Sequence, residues 1–340
     1  EMDLAASVQK VTEDIMLTMT RHIHKVSGME NLCLAGGVAL NCVANGKVLR
    51  DGRFKNIWIQ PASGDAGGAL GAALIGWHHI AEKPRQARYP DSQSGSYLGS
   101  DLPPEEVTAA LDKLGAAYEH IPDEDALCAR VAGLLAEGNV VGHVYGRMEY
   151  GPRALGHRSI LGDPRNTQMQ AQMNLKVKFR ESFRPFAPSV LRERVSDFFE
   201  LNSDSPYMLI VAPVKEEIRK PVTEKEQQLF GIEKLNCIRS ELPSITHVDY
   251  SARVQTVTPE QSPRYHRLIT AFEKQTGCPV LVNTSFNIRG EPIVHDTNDA
   301  YRCFMFTDME ALVVGNCLCL KKAQPPMSGV EEYKAQFKLD

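Results

Sequence analysis

NLCLAGGVALNCVANGKVLRDGRFKNIWIQPASGDAGGALGAALIGWHHIA, residues 31–81, alternates two short apolar runs with two helix-like segments. NLCLAGG reads as a strand ending in a glycine turn, and residues 38–49 as a helix. Residues 56–60 form a second strand, and 65–81 a Gly/Ala-rich helix. A strand–helix–strand–helix order implies parallel pairing, because each helix returns the chain to the same end of the sheet. Two strands are too few for a stable open sheet, so the region reads as half of a larger domain. Ahead of it, Leu4, Val8, Val11, Ile15, Met19 and Ile23 recur at steps of three or four. That spacing predicts an amphipathic helix over 4–26.

Both strand ends carry glycine. Gly36 and Gly37 suit either a tight turn needing positive φ or a backbone brought close to a phosphate at a helix start. Asp65 stands where the next helix begins, so capping is its default role. Gly67, Gly68 and Gly71 each cost a helix about 1 kcal/mol against alanine, which points to a sheet or a nucleotide lying against them. Two such helix starts on one sheet can line a common cleft.

Residues 86–99 lie in a polar Pro/Gly/Ser-rich run that reads as a linker. Beyond it, 101–115 and 123–138 each show a capping signal, an acidic first turn, helical apolar spacing and a closing glycine. Strands are expected at 140–145, near 207–211, 254–257 and 278–283, then at 311–314 and 317–320, with a helix at 297–306. Strands and helices mix without strict alternation, which makes this second part α+β. Residues 215–247 read as a loop excursion, and the charged tail 324–340 as peripheral.

The segment between His143 and Arg194 is cationic. It holds Arg147, Arg153, Arg158, Arg165, Lys176, Lys178, Arg180, Arg184, Arg192 and Arg194 against Glu149, Asp163, Glu181 and Glu193, a local net of +6 in a chain of −4. Eight of the ten cations are Arg, whose planar fork suits phosphate and carboxylate better than a merely solvated face requires. A pocket for a polyanion follows, with a solvated basic face as the plainer reading. Further on, the strand end Asn283–Asn287 (NTSFN) offers hydroxyl and amide groups that bind phosphate or carbonyl oxygens or merely make local turns. His247, Asp249 and Arg253 form another polar group, with a surface salt-bridge set as its plain reading. The pairs His22/His24 and His78/His79 lack helical metal-ligand spacing.

At 340 residues with 43% hydrophobic and 24% charged content, the chain has room for two ordinary globular domains. It contains no apolar run of membrane-spanning length, and no signal peptide leads it. Eight scattered cysteines without a CxxC read as reduced thiols of a cytoplasmic protein.

Four blocks, EYGPRALGHRSIL (149–161), KVKFRESFRPFAPSVL (176–191), THVDYSARVQTV (246–257) and CPVLVNTSFNIRGEPIV (278–294), resemble the signature blocks of the O-carbamoyltransferases, in the order of that family. This family includes the antibiotic and nodulation-factor carbamoyltransferases. LAGGVALN and SGDAGGALGAA extend the likeness to nearly the whole chain. The resemblance implies that 1–85 is the second lobe of a Kae1-like, actin-like ATPase domain. It makes 100–340 a YrdC-like domain that forms carbamoyl adenylate. It further implies ATP with Mg, carbamoyl phosphate and a hydroxyl-bearing acceptor as ligands, and Fe or a similar metal in the Kae1-like cleft. Lys178 and Arg180 match the K-x-R of the YrdC-like fold, and Ser285 and Asn287 its S-x-N.

By the same resemblance, Lys178, Arg180, Arg153 and Arg184 carry the adenylation chemistry. Arg147, Arg158, Arg253, Ser285 and Asn287 bind carbamoyl phosphate and ATP. Glu181 and Glu149 are alternative ion-pair partners for Arg180 or Arg184. Gly36, Gly37 and Asn41 meet adenylate, and Asp65 matches a metal ligand. The H-x-x-x-H metal pair of the family's first lobe has no counterpart here, so a truncated chain is expected, with acceptor transfer dependent on that lobe. The rival reading is an RNA-binding or tRNA-modification-related nucleotide-binding protein. The sequence pI of about 6.2 argues against it. A homo-oligomer is compatible with the sequence, and the acceptor is not legible in it.

Overall fold

The computed structural model describes residues 1–88, 91–180, 184–235, 237–326, 328–330 and 332. Parallel pairing of the first two strands is borne out. β1 (Asn31–Leu34) lies beside β2 (Asn56–Ile59), with Cys33 opposite Trp58. Around this two-stranded sheet run α1 (Met2–Ser27), α2 (Cys42–Arg50) and α3 (Ala66–Ile75).

The rest of the chain builds one nine-stranded mixed sheet. Its strands are β3 (Glu119–His120), β4 (Val141–Val144), β5 (Arg158–Gly162), β6 (Ala187–Leu191), β7 (Ile210–Pro213), β8 (Ser251–Val257), β9 (Val280–Ser285), β10 (Ala311–Val314) and β11 (Cys317–Leu320). Their spatial order is β3-β11-β10-β4-β5-β9-β6-β8-β7. β4 with β10 and β6 with β8 are parallel, and the other pairs antiparallel. Helices α4 (Pro104–Lys113), α5 (Glu124–Ala136), α6 (Pro263–Thr276) and α7 (Thr297–Phe306) complete the fold. α5 and α6 pack side by side through Leu127, Val131, Leu135, Leu268 and Phe272, all nearly solvent-free.

Every residue of β4, β5, β6 and β10 is buried. Such strands are covered on both faces, so they lack the inside–outside alternation of a half-exposed sheet. The sequence reading assigns no element to β5, β6 or α6. All three are present.

α2 joins the two parts by lying against β7. Asn45 Nδ2 donates to the Ala39 and Leu209 carbonyls at 2.8 and 3.0 Å, and Arg50 to the Val211 carbonyl at 2.8 Å. A Cβ on Gly46 would stand 2.1 Å from the Val211 oxygen, so this approach requires glycine. The expected linker, in its described part, is tied down. The Asp91 carboxylate accepts from Trp58 Nε1 at 2.9 Å, Tyr207 OH at 2.7 Å and the Gln93 amide at 2.8 Å.

α1 runs amphipathically as expected but turns the other way. Leu4, Val8, Val11, Ile15, Met19 and Ile23 are exposed, while Glu13, Met16 and Thr20 are buried. All eight cysteines are free thiols, and no described helix is long and apolar enough to cross a membrane. The excursion at 215–247 contains short turns at Glu216–Ile218, Glu224–Gln227 and Gly231–Leu235. Most of the tail 324–340 lies outside the described residues.

Candidate anion site

Lys178 follows a wide helical turn at Met173–Val177, closed by its own N–H donating to the Met173 carbonyl at 2.9 Å. The next residue, Phe179, has φ +47°, unusual for a bulky side chain. This kink drives Lys178 inward to the end of β9. Its ammonium donates to the Ser285 carbonyl, to Ser285 Oγ (3.3 Å), and to the Asn287 carbonyl and Oδ1 (2.9 and 3.0 Å). Ser285 Oγ in turn donates to Asn287 Oδ1 at 2.6 Å. The predicted K-x-R and S-x-N residues are therefore one cluster. Burial, and then the charge of Arg180, lower the Lys178 pKa to about 7. Arg180 lies over the Phe186 ring, with its Nε on Asn174 Oδ1 at 2.7 Å.

A second group forms where α2 begins. Arg153 donates to the Cys42 sulfur at 3.8 Å, and Arg253 lies close to both, its charge opposed by Arg153. Burial and the neighbouring Arg153 push the Arg253 pKa down to about 10. Among the described residues neither guanidinium has a carboxylate partner, and Arg153 Nε is buried without an acceptor. Two like charges in a partly desolvated place gain most from an anion between them. The surface salt-bridge reading of 247–253 is corrected here. Asp249 accepts from the Ser251 amide and hydroxyl, while Arg253 turns toward Arg153.

Ser285 and Arg253 share one face of the sheet, where residues two apart along a strand project together. The turn leading to Lys178 instead packs through Met169 and Met173 under Gly162, on the other face. Asn283 and Ser285 alternate on β9, and Arg253 and Gln255 on β8. Between them Asn283 Nδ2 donates to the Ala154 carbonyl, Ser189 Oγ and Gln255 Oε1, and Gln255 Nε2 donates to the Leu155 carbonyl at 2.8 Å. This buried network pins the segment carrying Arg153 over the sheet.

Several expected ligands stand elsewhere. Arg158 is fully buried, and its guanidinium donates to the His295, Tyr145, Gly146 and His157 carbonyls. These bonds brace backbone, while its second Nη is buried without a partner among the described residues. Arg165, Arg192 and Arg194 pair with Asp163, Asp204, and Asp197 with Glu273, so the cationic island is partly neutralised by its surroundings. Arg147 and Arg184 are exposed. Glu149 pairs with neither Arg180 nor Arg184, because backbone amides occupy it; Glu181 lies outside the described residues.

In the first region the glycine turns play plainer parts. Gly36 has φ +96°, as a tight turn requires. Asn41 caps α2, accepting from the Ala44 amide at 3.1 Å, and pairs with Gln9. Gly67 abuts the Ala62 carbonyl, whereas Gly68 and Gly71 face open space, so no neighbour in this chain explains those two. Asp65 is exposed at the start of α3 and makes no side-chain capping bond. Among the described residues no group of three or more His, Cys, Asp or Glu could hold a metal ion. Asp65 alone does not make a metal centre.

A cavity of about 1260 Å³ lies against β1 and β2, and one of about 240 Å³ between β2 and residues 203–210. Neither is lined by Lys178, Arg153 or Arg253, nor by the paired glycines at 36–37. The expected cleft between the glycine-rich helix starts is thus not among these cavities. Sequence reasoning also passed over Cys42, read only as a buried thiol, and gave Glu149 ion-pair partners where it instead organises the loop of the first signature block.

A mixed α/β protein with a small parallel sheet docked on a large mixed one, and a cationic site on the latter, is the class that emerges. The family described as Carbamoyltransferase C-terminus matches residues 132–321, and Carbamoyltransferase N-terminus matches 1–74. The chain belongs to the carbamoyltransferase family. It is 60% identical to an uncharacterized Synechocystis protein over 342 residues, covering 100% of this chain and 55% of that one. The nodulation protein NolNO of Sinorhizobium fredii is 43% identical over 99% of this chain and 48% of its own length. The 3'-hydroxymethylcephem-O-carbamoyltransferase of Streptomyces clavuligerus is 32% identical over 84% of this chain and 48% of its own. The chain spans about half the length of these relatives.

Proposed function

We propose that this chain carries the adenylating half of an ATP-dependent O-carbamoyltransferase. Water cleaves carbamoyl phosphate to carbamate and inorganic phosphate, and a carbamate oxygen attacks the α-phosphorus of ATP. Pyrophosphate leaves and carbamoyl adenylate forms. A hydroxyl of a small-molecule or glycan acceptor then attacks the carbamoyl carbon, and AMP departs. The observation that carries this reading is the Arg153–Arg253 pair, which has no carboxylate partner among the described residues and shares a sheet face with Ser285, an acceptor of the Lys178 ammonium. Adenylyl transfer asks mainly for positioning and charge neutralisation, and guanidinium and ammonium groups supply both.

In this reading Arg153 and Arg253 take the phosphate and carboxylate of carbamoyl phosphate. Lys178 faces the charge that develops during transfer, and Ser285 and Asn287 orient it. Arg180 holds the approach to Lys178. The match to a cephem O-carbamoyltransferase supports a hydroxyl acceptor. A divalent metal would take Asp65 as one of its ligands.

The test is carbamoyl-phosphate-dependent exchange of labelled pyrophosphate into ATP. Exchange is expected in the wild type and should fall about 100-fold or more in Lys178→Ala, the scale of losing one preorganised charge donor. Undiminished exchange in the variant would remove Lys178 from the chemistry. Tight RNA binding that weakens steeply with salt, without any exchange, would favour the nucleic-acid alternative.

A further inference from the structure

Residues 149–158 form a loop whose inner side is held by a buried carboxyl and a buried guanidinium. Burial raises the Glu149 pKa, against the amides and Arg158 that lower it. Glu149 is 6% exposed. Its Oε1 accepts from the amides of Leu155, His157 and Arg158 at 2.6, 2.9 and 3.3 Å. Arg158 collects backbone carbonyls, as described above. Tyr97 stacks on His157 at 3.7 Å, whose ring nitrogens meet the Arg147 carbonyl and Ser262 Oγ. Gly156, at φ +115°, leaves room for the Tyr265 ring, which an added Cβ would meet at 2.3 Å.

The outer side of the same loop touches the turn before α3 and the start of α2 in the first region. Tyr150 OH donates to the Ala66 carbonyl, and Gly151 runs so close to Pro61 that an added Cβ would stand 3.1 Å from its oxygen. Arg153 reaches Cys42. One short segment therefore connects the anion site to the start of α2 and to the turn before α3.

We infer that Glu149 is a positioning residue: its carboxylate closes loop 149–158 and so sets Arg153 beside Arg253 and against Cys42. A buried carboxylate serving three amides is a strong, directional clasp, and losing it leaves all three donors unsatisfied. Glu149 itself meets no anion. Its effect reaches the chemistry through the placement of Arg153, and this consequence rests on the reading proposed above.

Two readouts separate the loop from the reaction. The first is the rate at which Cys42 reacts with N-ethylmaleimide, followed by peptide mass spectrometry on the intact chain. The second is KM for carbamoyl phosphate against kcat in pyrophosphate exchange. Glu149→Asp keeps the charge but shortens the reach by one methylene, and Glu149→Gln keeps the reach and an acceptor. Glu149→Asp should raise both the alkylation rate and KM by about tenfold, with kcat changed far less, as expected for a displaced charge-assisted bond. Glu149→Gln should lie within about threefold of wild type, because its carbonyl oxygen still accepts. Glu149→Ala should exceed Glu149→Asp; if it fails to fold, the Asp–Gln pair still decides. Wild-type alkylation and KM in Glu149→Asp would overturn the inference. A wild type without exchange would sink the proposed reaction, while the alkylation rates would still judge the loop.

Discussion

Lys178 has three ammonium protons and four acceptors around it, yet burial lowers its pKa to about 7. In an unfolded chain it would titrate near 10.4. Between those values the unfolded state holds a proton that the folded state has released. This group therefore favours folding increasingly as pH rises from about 7 toward 10, and its penalty is complete below 7. Anion binding runs the opposite way, since a neighbouring anion restores the charged form. Sulfate, which does not titrate in this range, should bind up to about tenfold more weakly per pH unit above 7. Its binding at pH 8 should take up a proton, seen as buffer-dependent heat in titration calorimetry. Lys178→Gln should abolish that buffer dependence, and a wild type without it would contradict the assigned protonation. Residue identities of this kind were legible because K-x-R and S-x-N are local patterns. At Arg158 composition reports the charge and not the direction of the head group, which meets four backbone carbonyls. Glu149 was matched to arginines because its true partners are backbone amides, which leave no trace in side-chain chemistry.

α7 was legible from its one wet face, and β10 and β11, though buried, from short apolar runs bounded by turn signals. β5 and β6 carry Arg158 and Pro188 inside strands buried along their whole length, so neither alternation nor composition announces them. α6 carried a readable signal, with Pro263 in its first turn, apolar residues at 265, 268, 269 and 272, and left-handed Gly277 at its end. The glycines of α2 and α3 separate two causes that sequence alone leaves merged. Gly46→Ala should cost about 3 kcal/mol or more, because a backbone carbonyl, unlike a flexible side chain, cannot step aside. Gly68→Ala, in open space on a helix, should instead gain up to about 1 kcal/mol. Urea unfolding followed by tryptophan fluorescence measures both, since Trp58 and Trp77 lie in the first region. Equal effects at the two positions would deny that α2 docks on β7 through Gly46.

For the molecule as a whole, α1 shows what periodicity can and cannot convey. A stripe at steps of three or four predicts that something apolar will be covered, without saying by what. Here β1, β2 and α2 meet the other side of the helix, through Met16 and Thr20, and the stripe faces outward with Leu4 71% and Val8 61% exposed. The described residues of α3 add a second uncovered apolar surface, ending in Leu74 and Ile75. Contiguous apolar area of this kind drives association or dye binding in water. The chain should therefore sediment as a concentration-dependent mixture at micromolar levels and enhance the fluorescence of a hydrophobic dye. Val11→Lys with Ile15→Lys, both exposed and outside every hydrogen bond of the anion site, should shift sedimentation toward monomer and reduce the dye signal severalfold, with the unfolding midpoint little changed. A monomer at all concentrations, with dye binding unaltered by the double substitution, would mean that the stripe is covered in solution by a rearrangement of α1 itself.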